Sequence, residues 1–372
     1  MMPPYVTTLD AVAAALAGRP PTAAERDAHD LPALARALAT SAEHAEAVLA
    51  GTPAALAAHP VGSHSRDGVV RVGTEGWVHL VGDTNQVLAQ FAGTYPLPSG
   101  WGESWEALVT HHHAVARRLG ASAVHIFIPE RLPFVRSSCP GLPPQEGPRP
   151  LELLCERMGT ALTYPLPAMT ARHRAGEEVL FRTDSHIAGA GYWECYRAIL
   201  AKLGLDHDVA LERREWRPVL FSGDLGRAFA PRIAELIHYP ANPLSYDLVE
   251  DDSERVFSSG GHLGARRVLR CHDAPHDATA VVFGDSFSWL DPRRPGGLGE
   301  LLAATFRETH VVWAPMQIDP GYLGRVGADV VIFEFGERGA VRVPPREIDV
   351  RRVADETVGR RARPQGQVAT TV

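Results

Sequence analysis

Apolar and polar positions along the 372-residue chain fall into two textures. Up to about residue 58, Ala and Leu recur at three- and four-residue intervals in LDAVAAALAG, LPALARALAT and AEHAEAVLAGTPAALAAH, each run ending near Gly, Pro or polar breakers. This spacing predicts a small helical region over residues 1–65. From Val69 the runs shorten to GVVRVG and GWVHLVG, with Gly at the turns, as in short strands. Helix and strand patterns then alternate. SWEALVTHHHAVARRLG reads as a helix closed by Gly120 and followed by an apolar strand, Ala123 to Ile128. YWECYRAILAKLG is a second amphipathic helix, TAVVFGDSFS a buried strand, GGLGELLAATFRETHVVWAP a helix and then a strand, and ADVVIFEFGE a further strand. Strands apolar on both faces and separated by helices predict a three-layer α/β domain with a mainly parallel sheet, here over residues 66–345. SCPGLPPQEGPRPLE, at 138–152, reads as a proline-rich surface loop, and 346–372 as a C-terminal tail, partly disordered.

Composition narrows the function. With 45% hydrophobic and 22% charged residues and a net charge of −7, the chain reads as globular and carries no basic footprint for nucleic acid. The amino terminus has no basic residue ahead of its short apolar segment, and Asp10 stands where a signal peptide carries positive charge. No stretch approaches the roughly 20 apolar residues of a membrane span. Four cysteines without CxxC spacing (Cys139, Cys155, Cys195, Cys271) fit reduced thiols, so a cytoplasmic location is expected. Neither GxGxxG nor GxxxxGK[ST] occurs, so no bound nucleotide cofactor is expected.

The candidate chemistry starts at VVFGDSFSWL, where a buried strand stops on Gly284-Asp285-Ser286. In open α/β sheets, sites form at the carboxyl ends of strands. A serine there projects its hydroxyl among backbone N–H groups that can hold an oxyanion. It could equally cap the next helix, as could Ser288. An unassisted serine is a poor nucleophile, and VLFRTDSHIAGAGYW offers a base: Asp184 and His186, two apart where an apolar VLF strand of the same sheet is expected to give way to a helix, can point the same way. A loop with an N-capping Asp and an incidental His reads the same. Together the segments supply a Ser-His-Asp set in the order Asp, His, Ser. CHDAPHD, Cys271 to Asp277, carries metal-binding side chains, but Pro275 spoils a helical i, i+4 pair. His111-His112-His113 lies on a helix, where consecutive residues diverge by about 100° and read as a half-exposed face rather than a ligand set.

The order of VGTEGWVHLVGDTNQV, HIFIPERLPFV, FRTDSHIAGAGYW, VVFGDSFSWL and ADVVIFEFGERGAV resembles the SGNH-hydrolase-like family of alginate O-acetylation, over about residues 66–345. The resemblance implies an SGNH-type O-acyltransferase or esterase with Ser286 as nucleophile, His186 as general base and Asp184 as its orienter. It implies an acyl-serine intermediate, with a soluble glycoside or small hydroxylated metabolite as acceptor. The donor would be acetyl-CoA or a carrier-protein thioester. For the oxyanion, Ser286 N–H is one expected donor, and Gly223, in FSGDLGRAF, a second; a plain turn explains that glycine as well. Glu334 and Arg338, four apart, are expected to form a structural salt bridge. Where the family carries Trp-Asn after the histidine, this chain has Ile187-Ala188. The alternatives are an esterase with the same triad and an inactive glycan-binding or scaffold module.

Overall fold

In a computed structural model of the chain, the described residues are 59–361 apart from 84, 213, 214, 243 and 290–296. The expected amino-terminal helices up to residue 58 lie outside them. The elements run β1 (Val70–Val72), β2 (Val78–Leu80), α1 (Val87–Ala92), α2 (Trp101–Arg118), β3 (Ser122–Ile128), α3 (Leu132–Val135), α4 (Pro150–Met158), α5 (Leu166–Arg174), α6 (Gly189–Leu203), β4 (Trp216–Phe221) and β5 (Glu235–Pro240). They continue through β6 (Asp247–Asp251), α7 (Ser253–Phe257), β7 (Arg266–Arg270), β8 (His276–Gly284), α8 (Leu298–Ala303), β9 (Phe306–Trp313), α9 (Pro320–Val326), β10 (Val330–Gly336) and α10 (Val350–Arg361).

Six strands form one sheet in the order β3-β10-β8-β9-β7-β6. The first four are mutually parallel, while β7 and β6 join antiparallel at the far edge. Alternation along the strands feeds two cores. Val124, Ile126, Ala280, Val282, Val330 and Ile332 pack with Tyr196 and Ile199 of α6 and with α8. Their neighbours Phe127, Val281, Phe283, Val331 and Phe333 face α2, α4 and α9. This produces the three layers, because a side-chain period of two sends successive residues to opposite faces.

The helices close as their sequences direct. In α2, Trp101, Trp105, Leu108, Val109, His112 and Val115 make a buried stripe at helical spacing, and Gly120 takes the left-handed conformation (φ 76°) just past the end. Gly204 ends α6 in the same way. Each large side chain fully buried in such a stripe contributes roughly 1.5–3 kcal/mol.

Five features differ from the sequence expectation. Val179–Phe181, the apolar run ahead of Asp184, is not a strand of the sheet but one arm of a tight loop closed by a single bridge between Leu180 and Ile187. A separate β4–β5 hairpin, unforeseen from the sequence and with half-exposed strands, packs beside that loop. The loop at 138–152 becomes helical at Pro150, where a proline in the first turn costs no hydrogen bond. Residues 350–361, expected within the tail, form α10, because Val350, Ala354 and Thr357 put a narrow apolar stripe on a charged segment. Val350 and Ala354 are buried. At the other boundary, residues ahead of 66 are already stitched to β1: Gly62 N–H donates to Val72 O and Ser65 N–H to Val70 O, each at 2.8 Å.

Candidate active site

The turn that carries Ser286 follows directly from β8. Gly284 ends the strand opposite Trp313, and a Cβ there would lie 2.5 Å from Glu334 Oε2 and 2.9 Å from Ser288 Oγ. Only glycine fits so close an approach. The next residue pins the turn from both sides. Asp285 N–H donates to Glu334 Oε2 (3.0 Å), while the Asp285 carboxylate accepts Phe287 N–H (2.9 Å) and Gly336 N–H (3.0 Å). Ser288 Oγ also donates to Glu334 Oε2, at 2.7 Å. Ser288 is therefore a buried tie, and Ser286 is the partly exposed residue left projecting over the sheet edge.

Glu334 is fully buried, and that burial, reinforced by the adjacent Asp285 charge, holds its carboxyl well above the usual carboxylate range. The salt bridge expected between Glu334 and Arg338 does not form. Glu334 is a strand residue whose side chain points inward, whereas Arg338 lies beyond the strand end. Arg338 Nε instead pairs with Glu130 at 2.6 Å, and its Nη2 donates to Ser185 O at 3.4 Å.

The Asp-x-His segment meets the serine from the opposite side. His186 Nδ1 lies 2.6 Å from Asp184 Oδ1, and His186 Nε2 lies 2.7 Å from Ser286 Oγ. The same Asp184 oxygen accepts His186 N–H at 3.0 Å, so the carboxylate fixes both the backbone and the ring of the histidine. Asp184 and His186 are 1% and 6% exposed, and the Phe287 ring stands 4.8 Å from the imidazole. With Nδ1–H donated to Asp184, Nε2 is the lone-pair nitrogen available to the serine hydroxyl.

Several residues that sequence reasoning had not singled out hold this segment. The buried Arg131 guanidinium donates to the carbonyls of Val78, Phe181 and Asp184. Glu235, on β5, accepts Thr183 N–H (2.6 Å), Thr183 Oγ1 (2.7 Å) and Arg182 N–H (2.8 Å), and burial pushes its carboxyl up to about 6. Asp224 N–H donates to the second oxygen of Asp184 at 3.0 Å. The signal for Asp224 lay in the Gly-rich FSGDLGRAF stretch, but its role needed the fold.

Gly223 differs from its expected role in the oxyanion hole. Its N–H is directed to Thr183 Oγ1 (3.1 Å), and a Cβ on it would come within 2.3 Å of Asp184 Cβ. The glycine is there because the two loops touch.

The other clusters have structural partners. Cys271 is buried, His272 lies beside Asp247, His276 is bonded to Asp206 O and Asp277 to Arg307, so CHDAPHD does not converge on one point. Of the histidine run, His111 pairs with Glu347, whereas His112 is not half exposed as expected: it is buried, stacked on Phe333, with Nδ1 3.0 Å from His125 Nε2. Burial takes His112 down to about 3, so it stays neutral. A cavity of about 750 Å³ between α9, α10 and β7, and another of about 620 Å³ behind the Asp184 loop, are lined by none of Asp184, His186 and Ser286. Among the described residues no helix is long and apolar enough to cross a membrane.

These features define a three-layer α/β domain with Ser286 on the turn after a central parallel strand. No family model matches the chain, and no curated protein sequence matches it. Solved structures do. The Bacillus cereus PatB1 structure with a sulfonyl adduct superposes with a TM-score of 0.50 at 10% identity, over 73% of this chain and 97% of that one. The O-acetyltransferase domain of Pseudomonas putida AlgJ gives 0.47 at 15% identity, over 78% of this chain and 99% of that one. Pseudomonas aeruginosa AlgX gives 0.41 at 14% identity, over 73% of this chain and 65% of that one.

Proposed function

We propose that the protein is a serine-dependent O-acyltransferase that moves an acyl group, acetyl in the simplest case, to a hydroxyl of a soluble glycoside or other small hydroxylated acceptor. The observation that carries the reading is the unbroken line from Asp184 Oδ1 through His186 to Ser286 Oγ, with links of 2.6 and 2.7 Å. His186 Nε2 takes the hydroxyl proton as Ser286 Oγ attacks the carbonyl of an ester or thioester, and Asp184 stabilises the imidazolium. Ser286 N–H is the donor best placed by sequence position to receive the developing oxyanion. The leaving alcohol or thiol takes the proton from Nε2, which leaves an acyl-Ser286 ester. An acceptor hydroxyl then gives its proton to Nε2 and attacks the acyl carbon; the bond from that carbon to Ser286 Oγ breaks, Oγ takes the proton back from Nε2, and the acceptor leaves with the acyl group. Coenzyme A or a carrier protein would supply the thioester. Water in place of the acceptor turns the same cycle into an esterase, so exclusion of water in the second half decides between the two.

The test is covalent labelling. Purified protein is treated with a fluorophosphonate, a sulfonyl fluoride or p-nitrophenyl acetate, and its intact mass is measured. A single adduct that disappears in Ser286→Ala and His186→Ala supports the reading. A folded wild type that takes no label from any of the three sinks it.

A further inference from the structure

We propose that Asp224 is a second carboxylate serving the catalytic histidine, a positioning residue that acts through Ser185 and His186. The inference rests on the triad reading above. After β4 the chain turns at Gly223 directly against Asp184, and the next residue faces the middle of the Asp-x-His segment. Asp224 Oδ1 accepts Ser185 N–H at 2.6 Å and Leu225 N–H at 2.8 Å. Its Oδ2 accepts the Ser185 hydroxyl at 2.5 Å and lies 3.9 Å from His186 Nδ1. Ser185 Oγ is itself 3.4 Å from that nitrogen.

Proton direction follows from these distances. The Ser185 hydroxyl donates its hydrogen bond to the Asp224 carboxylate, so the oxygen presents a lone pair toward His186 Nδ1–H. The imidazole edge opposite Ser286 thus meets Asp184 at contact, a serine lone pair, and a second negative charge at 3.9 Å. Each favours the imidazolium that forms when Ser286 is deprotonated. Among the described residues, the charged groups packed around the histidine include Asp184 and Asp224, then Arg338 through Ser185 O, and Arg131 through Asp184 O. The nucleophile turn contributes the neutral Phe287 ring. Asp184 is 1% exposed, but the Asp224 side chain is 39% exposed. Its charge therefore reaches the histidine partly through solvent and is screened by salt, a signature that a purely structural loop anchor lacks.

Asp224→Asn retains an oxygen for Ser185 N–H but removes the charge, and its amide N–H₂ donates to Ser185 Oγ where the carboxylate accepted. The rate of fluorophosphonate labelling is followed by intact mass from acid to neutral pH, at about 10 mM and about 1 M salt, where the Debye length is about 30 Å and 3 Å. The variant is expected to label about 5- to 20-fold more slowly at neutral pH, with the acid limb of its profile moved to lower pH, on the scale of tenfold per pKa unit. The wild-type limb is expected to move the same way at high salt, and the variant limb to stay still. A folded Asp224→Asn that labels at the wild-type rate with an unmoved limb overturns the proposal. Should that variant fail to fold, the wild-type salt series decides: a limb that does not shift overturns the proposal just as well. Ser286→Ala separates the two levels, since wild-type labelling that survives in Ser286→Ala, or no labelling at all, refutes the triad reading rather than Asp224 alone.

Discussion

A methyl group on Gly223 would lie 2.3 Å from Cβ of Asp184, closer than real Cβ contacts come. The backbone of one loop is thus the wall against which Asp184 rests. Gly223→Ala must push the loop away and lengthen the Asp224 N–H to Asp184 bond of 3.0 Å. A shift of about 1 Å in a catalytic array can cost about 100-fold. The variant is expected to fold and to lose fluorophosphonate labelling by at least about tenfold; labelling at the wild-type rate would show that the two loops are not coupled.

Glu334 offers a different lever, because it holds the nucleophile turn as a neutral acid. Its folded-state pKa lies well above the ordinary 4.5, mainly through burial. As pH rises past the usual carboxylate range, the unfolded chain ionises this group and the folded chain does not, so its contribution to stability falls with rising pH up to the folded pKa. Glu334→Gln keeps an oxygen for Asp285 N–H and Ser288 Oγ and cannot ionise. Its melting temperature is expected to gain on wild type as pH increases, with labelling of Ser286 within a few-fold. Glu334→Ala leaves both donors unmet, at about 1–3 kcal/mol each, and is expected to lose labelling. Parallel melting curves for wild type and Glu334→Gln across pH 6 to 9 would contradict the neutral assignment.

Glu235 has the same sign with a defined window. Its carboxyl is raised from 4.5 to about 6 by burial, against the donors Arg182 N–H and Thr183 that favour its charge. Its share of stability is highest below pH 4.5, declines as pH rises to about 6, and is constant above that, for a total near 2 kcal/mol at 1.36 kcal/mol per unit. Glu235→Gln is expected to abolish that slope while adding a roughly constant loss, since its amide nitrogen cannot accept one of the three bonds. Urea unfolding at pH 4.5 and 7 for both proteins measures the difference of differences. An equal pH dependence in the two would rule out Glu235 as the titrating group.

How much of this was legible in the chain depends on which interactions are local. The apolar runs at Ala123–Ile128, Val281–Phe283 and Val330–Phe335 gave the parallel strands, because a strand buried on both faces is apolar at nearly every position, His125 and Glu334 being the exceptions. Asp184, His186 and Ser286 were each visible as chemically suited residues beside breaks in apolar pattern, and the fold brings them within hydrogen-bond distance. The supporting residues were not visible. Arg131, Glu235 and Asp224 act on backbone atoms about 40 to 53 positions away, and nothing in their own neighbourhoods records that distance. Glu334 and Arg338 misled for the converse reason: i, i+4 spacing suggests a pair only on a helix, and Glu334 is on β10.

The carboxyl-terminal boundary gives the last prediction, because α10 reaches the nucleophile turn through a chain of contacts. Ala354 is 1% exposed and shares a cluster with Val256, Ala265, Leu269, Val311 and Trp289. Its backbone N would lie 2.7 Å from a Cβ on Gly264, so helix and loop meet without intervening side chains. Trp289, three residues after Ser286, lies with its ring 5.2 Å from that of Phe257 and 5.5 Å from that of Trp313, tilted by 55° and 56°, within the same cluster. A carboxylate at position 354 would have to be desolvated there without a partner, which costs several kcal/mol or forces the helix off the sheet. Ala354→Asp is therefore expected to lower the melting temperature by about 10 °C or more, on a scale of roughly 2–4 °C per kcal/mol for a domain of 150–250 residues, and to slow labelling of Ser286 by loosening Trp289. Arg351→Ala, on the exposed side of the same helix, is expected to change neither. If Ala354→Asp melts and labels like wild type, α10 is a tail that merely lies against the domain; if it melts early but labels normally, the helix supports the edge of the sheet and not the turn.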